Sequence, residues 1–354
     1  MILPSHILKD LEQAGLLKIK DRQEYGAFSL DLRIGRLLKR KEVKAATVNE
    51  HQYCQDRFID KLCEEVDIPV IGLDLEPNDS YLWQPKERIY MKKGLAGEIT
   101  SRSSYARLGL RVQSKGVDEK LHHYHVDKDY YPLCTLRTTG TRVRISRDEP
   151  LAQLFVSNSV EHCFTKQDYE FLIEKNLLVI TKEGKKLSPK ELNISHEIKL
   201  TLGSDIKLYL GKLLIPGKLK GDEFEHLELS NLEGQYLRKS DFFISASAES
   251  VEIPEDCVGY VTERHTIMQL QNLVKRGANV LQDMPFMSHA NAPYIGPRSV
   301  FIGNITFENQ MLTDAKVRPG TKQADLVLYL LADRVHLPRN SRYTNQDGAT
   351  LSRL

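Results

Sequence analysis

The stretch Ser5–Ile19, SHILKDLEQAGLLKI, returns later in the chain as Lys166–Ile180, KQDYEFLIEKNLLVI, and this recurrence decides how the fold is read. In the first copy a Ser cap precedes Ile7, Leu8 and Leu11 on one helical face, and Gly15 stops the helix. The second copy keeps the apolar spacing and the double leucine after the stop. Each helix is followed by a strand-like run closing on glycine: FSLDLRIG at Gly35 and EIKLTLG at Gly203. Further on, YLWQPKERIYM near Tyr81 is matched with YLRKSDFFISA near Tyr236, and SRDEPLAQLFV near Arg147 with VRPGTKQADLVL near Arg318. The chain therefore divides into two diverged copies, residues 1–158 and 159–354, with the seam between Ser157 and Cys163.

Between the helices, short β-branched runs are broken by Gly, Pro, Asp and Asn, which predicts an all-β sandwich or jelly roll in each copy. The segments Lys39–Leu73 and Lys182–Leu192 are charged and are expected to be irregular insertions.

The 354 residues suit two domains, and an apolar fraction of 41% is enough to pack their cores. Charged residues make up 28% of the chain but leave a net charge of only +2, so overall basicity does not drive binding to nucleic acid or lipid. A polyanionic ligand must meet a local basic pocket. No signal-peptide core and no apolar run of membrane-spanning length occurs, and a cytoplasmic protein is expected. The five cysteines, Cys54, Cys63, Cys134, Cys163 and Cys257, form no Cys-x-x-Cys pair and are expected to be reduced.

The stretch SRSSYARLGL, Ser101–Leu110, resembles the Arg-Ser-Ser signature of the dCTP deaminase and dUTPase superfamily. Two further stretches share the likeness. Phe242–Arg264 carries an E-x-V-x-x-P-x-D-x-x-G frame similar to the strand leading into that signature, and the chain ends SRYTNQDGATLSRL, like the family tail that closes over nucleotide. With two copies, the chain resembles the long tandem dCTP deaminases of bacteria. The resemblance implies a mainly β fold: two tandem dUTPase-like β-barrel or jelly-roll (β-clip) domains, each preceded by a short α-helix. It also implies a hydrolase acting on a deoxypyrimidine nucleoside triphosphate, deaminating dCTP to dUTP without zinc and coupled to hydrolysis to dUMP.

Arginine and adjacent hydroxyls at a turn opening a short helix supply charge-assisted donors to a phosphate chain, and Arg102, Ser103, Ser104 and Arg107 are the candidates. By resemblance Ser103 lies near the reacting base, while Ser104 and Arg107 hold phosphate. The stretch HVDKDYYPLCTLR, His125–Arg137, resembles the family strand in which Asp127 would be the water-orienting carboxylate and Tyr130 the ring packed on deoxyribose. Thr350 and Arg353 of the tail are expected to reach phosphate. A magnesium ion (Mg2+) bridging phosphate oxygens is implied by the substrate, with no dedicated protein ligands.

Deamination needs a proton shuttled from the attacking water to the leaving amine, and the resemblance implies a glutamate for that task. Where the deaminases place it, the first copy has Arg137, which cannot act as a base. The second copy offers Glu308 in GNITFEN, but its signature position holds Arg264, His265 and Thr266. Each copy thus carries what the other lacks, and a composite pocket is the expectation. The alternatives are a dUTP diphosphatase relying on Asp127 and a nucleotide-binding protein without catalysis. Association of chains into a homo-oligomer is expected, because two copies cannot complete a three-fold ring.

Other classes lack their residues. A zinc cytidine deaminase needs Pro-Cys-x-x-Cys after a His-x-Glu, and only His226-Leu227-Glu228 is present. The cluster His122, His123, Tyr124 and His125 points to alternate faces of a strand and does not converge on a metal. Neither a Walker loop nor a dinucleotide fingerprint occurs.

Overall fold

Ile198, Leu200 and Leu202 are fully buried while Lys199 between them is exposed, the two-residue alternation of a strand with one face on a core. That pattern dominates the protein. The computed structural model describes residues 1–21, 25–41, 63–92, 94–114, 126–130, 132–158, 164–192, 194, 197–229, 233–263, 286–289, 294–297 and 301–334.

The first half contributes β1 (Leu17–Lys20), β2 (Leu30–Arg40), β3 (Cys63–Glu65), β4 (Leu73–Leu75), β5 (Ser80–Pro85), β6 (Arg88–Met91), β7 (Leu95–Ser101), β8 (Leu110–Ser114), β9 (Val126–Tyr130), β10 (Cys134–Thr138), β11 (Val143–Ile145) and β12 (Pro150–Asn158). The second contributes β13 (Val179–Lys182), β14 (Lys185–Lys186), β15 (Ile198–Tyr209), β16 (Phe224–Glu228), β17 (Gln235–Leu237), β18 (Phe242–Glu252), β19 (Cys257–Glu263), β20 (Phe286–His289), β21 (Tyr294–Ile295), β22 (Ile302–Met311), β23 (Ala315–Val317) and β24 (Lys322–Leu330). Strands β12, β7, β8, β10, β5 and β2 pair in that order, and β12 also pairs with β2, so the first half closes into a barrel. In the second half the described strands follow the path β13, β18, β15, β24, β19, β21, with β22 on the free side of β18. The mainly β expectation holds.

The duplication is written in hydrogen bonds. The carboxylate of Asp79 accepts the N–H of Glu76, and that of Asp241 accepts the N–H of Arg238. The carbonyls of the same two aspartates accept from Thr138 and Met311. Glu87, fully buried, accepts the backbone N–H of Arg33, and Glu249 accepts that of Thr201. Just beyond, an added Cβ on Gly35 would meet the Pro85 carbonyl at 2.7 Å, and one on Gly203 the Ala246 oxygen at 3.0 Å. Leu151 and Gln323 are each skipped by a bulge at the start of nine-residue strands, β12 and β24.

These landmarks correct the sequence pairing. The counterpart of YLWQPKERIYM begins at Phe243 in β18, not at Tyr236, because Tyr236 lies in β17, whose partner β23 matches the β4–β11 pair. The spelling Tyr-Leu recurs there by chance. Two other expectations change. Ser5 lies inside the first helix, Ser5–Gln13, behind an N-terminal Pro4 that makes no side-chain cap, whereas the second helix, Lys166–Glu174, has a full capping box between Thr165 and Asp168. The segment Lys182–Leu192 is ordered as the β13–β14 hairpin and a short helix, Pro189–Leu192, and Lys39–Leu73 includes β3 and the end of β2.

The helix residues behave as the periodicity predicts: Leu8 is fully buried with Ile7 and Leu11 packed beside it. Cys63, Cys134 and Cys257 are buried, while Cys54 and Cys163 lie outside the described residues. Among the described residues no helix is long and apolar enough to cross a membrane.

Described strands of one half do not share a sheet with the other, yet the halves are not separately packed. Phe242, Ile244 and Ala246 of β18 join the same apolar cluster as Trp83, Tyr105, Leu108, Leu110 and Leu136. The alternate residues, Phe243, Ser245 and Ser247, face the interior of the second half. At the seam Leu3 donates to the carbonyl of Val156, Ala332 to that of Ile2, and Leu214 to that of Arg142.

Candidate active site

β7 ends at Ser101 and the chain turns through a single helical turn, Ser103–Ala106, before entering β8 at Leu110. Three contacts hold this turn. The Arg102 N–H donates to the carbonyl of the bulge residue Leu151 at 2.9 Å, the Ser101 hydroxyl accepts from Val112 N at 2.6 Å, and Tyr105 is buried below with its hydroxyl donating to Glu149. Burial, reinforced by Glu149, pushes the Tyr105 pKa well up, so the phenol remains a donor. Gly109 closes the turn at φ 79°, where an added Cβ would meet Thr141 Cγ2 at 2.9 Å, while the Thr141 hydroxyl donates to the Leu108 carbonyl at 2.6 Å.

On this frame Arg102 and Ser103 are half-buried, and Ser104 and Arg107 are buried. Arg102 lies 3.4 Å from the carboxylate of Asp31, which Gln153 also engages at 3.1 Å. The hydroxyl of Ser104, 4% exposed, has no hydrogen-bond partner among the described residues. A buried donor without a partner costs on the order of 1–3 kcal/mol, so the turn holds a hydroxyl poised for an acceptor that none of the described residues supplies.

Glu308 is 3% exposed on β22, directly opposite Ile244 of β18. Residues opposite one another in an antiparallel pair share a face. Ile244 packs into the cluster that contains Tyr105, Leu108 and Leu110, so Glu308 is on the face of β22 turned toward the first half. Its neighbour on that face, Gln310, donates to Asn78 at 3.2 Å, and a Cβ on Gly140, next to Thr141, would lie 3.4 Å from the Gln310 amide.

The ladders also correct one pairing made from sequence. Tyr81 pairs with Leu136 and its counterpart Phe243 with Asn309, so the strand position matching Glu308 in the first half is Thr135, and Arg137 matches Gln310. Arg137 is exposed. Asp127 and Tyr130 lie on β9, with side chains outside the described part. Thr350 and Arg353, Arg264 to Thr266 and His122 to His125 also lie outside the described residues. His226 pairs with Asp205 on β15 and is not part of the turn. Among the described residues no group of three or more His, Cys, Asp or Glu is placed to hold a metal ion. Sequence reasoning missed Glu149 and Thr141, the residues that support the turn, because nothing in their local spelling marks a long-range contact.

Residues 2–159 match the family model described as dCTP deaminase-like. Over 169 residues the chain is 27% identical to the dUMP-forming dCTP deaminase of Dictyoglomus thermophilum, covering 43% of this chain and 79% of the relative. The dUMP-forming enzyme of Dictyoglomus turgidum gives the same figures. Among solved structures, the 2'-deoxycytidine 5'-triphosphate deaminase of Agrobacterium tumefaciens superposes with a TM-score of 0.70 and 17% identity, over 93% of this chain and 98% of that one. The fold of that structure is therefore shared along nearly the whole length of this chain.

Proposed function

We propose that this protein deaminates dCTP to dUTP and carries the product on to dUMP, as the names of its Dictyoglomus relatives describe. The carrying observation is the buried Ser104 hydroxyl, left without a partner among the described residues beside buried Arg107 in the turn that ends β7. Arg102, Ser104 and Arg107 hold the triphosphate, and Ser103 faces the base. Glu308, reaching across from the second half, takes a proton from the water that adds to C4 of cytosine and gives it to the departing amine, so that dCTP and water yield dUTP and ammonia. Its buried position on the face turned to the first half supports this role. The register shift noted above does not weaken it, because positions two apart on a strand share a face. Asp127 orients the hydrolytic water, Tyr130 packs on the deoxyribose, and Thr350 and Arg353 close on phosphate. The two-domain division at residues 158 and 159 belongs to the same reading, as does assembly of chains into a homo-oligomer.

A magnesium ion fits this donor set, since an ion carried by phosphate oxygens and water needs no protein cluster. When bound it would neutralise phosphate charge. A second reading, dUTP diphosphatase activity alone, is favoured by the first half having Thr135 at the strand position of Glu308, with Arg137 exposed two residues on.

The test is product analysis by chromatography after incubation with dCTP, dUTP or dTTP, for the wild type and Glu308→Gln. Loss of dCTP turnover with dUTP turnover retained supports the composite site. Turnover of dUTP alone by the wild type establishes the second reading, and no turnover of any substrate overturns both.

A further inference from the structure

Counted from the repeated Asp79 and Asp241 turns, Ser245 occupies the place of Trp83, and Asn309 that of Leu136. Counted along β12 and β24, the bulge residue Gln323 occupies the place of Leu151. The apolar centre of the first barrel, Trp83, Leu136 and Leu151, all fully buried, is thus replaced in the second by Ser245, Asn309 and Gln323, all at most 2% exposed.

These polar groups bond to one another and to Ser288. The Asn309 amide donates to Ser245 Oγ at 2.8 Å and to the carbonyls of Phe243 and Phe307 at 3.3 Å. Its oxygen accepts from Ser288 Oγ at 2.6 Å and from Gln323 Nε2 at 3.4 Å, and Gln323 Nε2 also donates to Ser245 Oγ at 2.6 Å. Gln323 Oε1 has no partner among the described residues. Such a layer is a poor source of stability, because apolar residues of similar volume would serve as well or better. What it can supply is register, as a buried polar group satisfied in only one alignment does.

Register matters here because the β18–β22 ladder is broken between Ala246 and Ser250, close to Glu308. A slip of one residue in β22 would turn Glu308 into the second barrel and Asn309 toward the first half. Asn309 keeps all its bonds only in the observed alignment.

We propose that Asn309, with Ser245, Gln323 and Ser288, is a positioning cluster that locks the register of β22 and so presents Glu308 to the nucleotide turn of the first half. The inference rests on the deaminase reading above, and the experiment separates the two. In the full-length protein Asn309→Leu installs the residue of the first barrel. Kinetics with dCTP and hydrogen–deuterium exchange of the β22 backbone are measured together. The expected result is a folded variant with kcat lowered about 100-fold, the loss typical of a group misplaced by about 1 Å, KM changed by less than about threefold because the Arg102–Arg107 turn is untouched, and faster exchange in β22 but not in β7. A folded Asn309→Leu variant with unchanged kcat and unchanged exchange overturns the cluster's role while leaving Glu308→Gln to judge the deaminase reading. If the wild type does not turn over dCTP, the reading fails, and exchange in β22 alone decides the register claim. Should Asn309→Leu not fold, Gln323→Leu, which installs the residue of the first barrel and removes the donations to Ser245 Oγ and Asn309 Oδ1, is measured with the same two outcomes.

Discussion

Glu98 of β7 accepts hydroxyl hydrogen bonds from Tyr260 at 3.3 Å and Tyr294 at 2.6 Å, and Tyr260 stands in β19 where Glu98 stands in β7, both strands being seven residues long. One carboxylate thus clamps the second half onto the strand that leads into the serine-arginine turn. Phe155 stacks on Tyr294 with ring centroids 4.0 Å apart, closing the clamp on its apolar side. Burial, then the Glu98 charge, holds the Tyr294 pKa well above the ordinary tyrosine value, so the phenol stays a donor.

Glu98→Ala leaves both hydroxyls without their acceptor. The expected loss is about 2 kcal/mol in urea unfolding, since an abandoned buried donor costs roughly 1–3 kcal/mol. In a double-mutant cycle with Tyr294→Phe the two losses should be strongly non-additive. Additive effects would show that the clamp is not a coupled unit.

Ser104→Ala should not lower stability and should raise it if anything, because its hydroxyl has no partner to lose among the described residues. Binding should nonetheless suffer, with KM for dCTP rising about 10-fold, the worth of one hydrogen bond to a charged acceptor. Thr141→Val is the control: it removes the bond to the Leu108 carbonyl and should cost about 1 kcal/mol of stability. Equal stability losses in the two variants would contradict the assignment of Ser104 to ligand.

Gly35→Ala drives a methyl against the Pro85 carbonyl and the Lys86 nitrogen at 2.7–2.8 Å, all backbone, so no side chain can move aside. Gly203→Ala meets its nearest atom at 3.0 Å and has more room. Thermal melts should rank Gly35→Ala as the more damaging, at about 1–3 kcal/mol, the usual range for overpacking. The reverse ranking would show that the close approach of the Pro85 backbone is not what excludes a side chain at residue 35.

The duplication was legible because helix periodicity and closing glycines are local signals, and the helices and long strands β2 and β15 fall where they point. The register of the halves was not. The string Tyr-Leu at Tyr81 and at Tyr236 matches by spelling, but the bonds of Asp79 and Asp241, made within their turns and to the neighbouring strand, count the strands differently. The turn from Arg102 to Arg107 could be found from its composition. That Glu308 lies on the face of β22 turned to the first half could not, since which side of β22 meets that half depends on Ile244 packing with Leu108 and Leu110 across the seam.

Asp74 and Arg144 form a two-point ion pair, Nε to Oδ1 at 2.6 Å and Nη2 to Oδ2 at 3.1 Å, joining β4 to β11. The Arg144 hydrogen bond holds the Asp74 carboxyl below its ordinary value of 3.8, against an opposing effect of burial. A carboxyl depressed by folding stabilises the protein above its unfolded pKa, and that contribution is lost as pH falls through the folded value. Asp74→Asn should therefore lower the melting temperature by roughly 2–4 °C at pH 7. The gap to the wild type should narrow below about pH 4 as the wild-type carboxylate takes up its proton. Because Arg144 N–H also donates to Leu214 of the second half at 2.9 Å, loosening β11 should reach across the seam. Backbone exchange at Leu214 should quicken in the variant, and a difference in melting temperature that stays constant from pH 7 to pH 3 would show that the ionised pair is not what holds β11 in place.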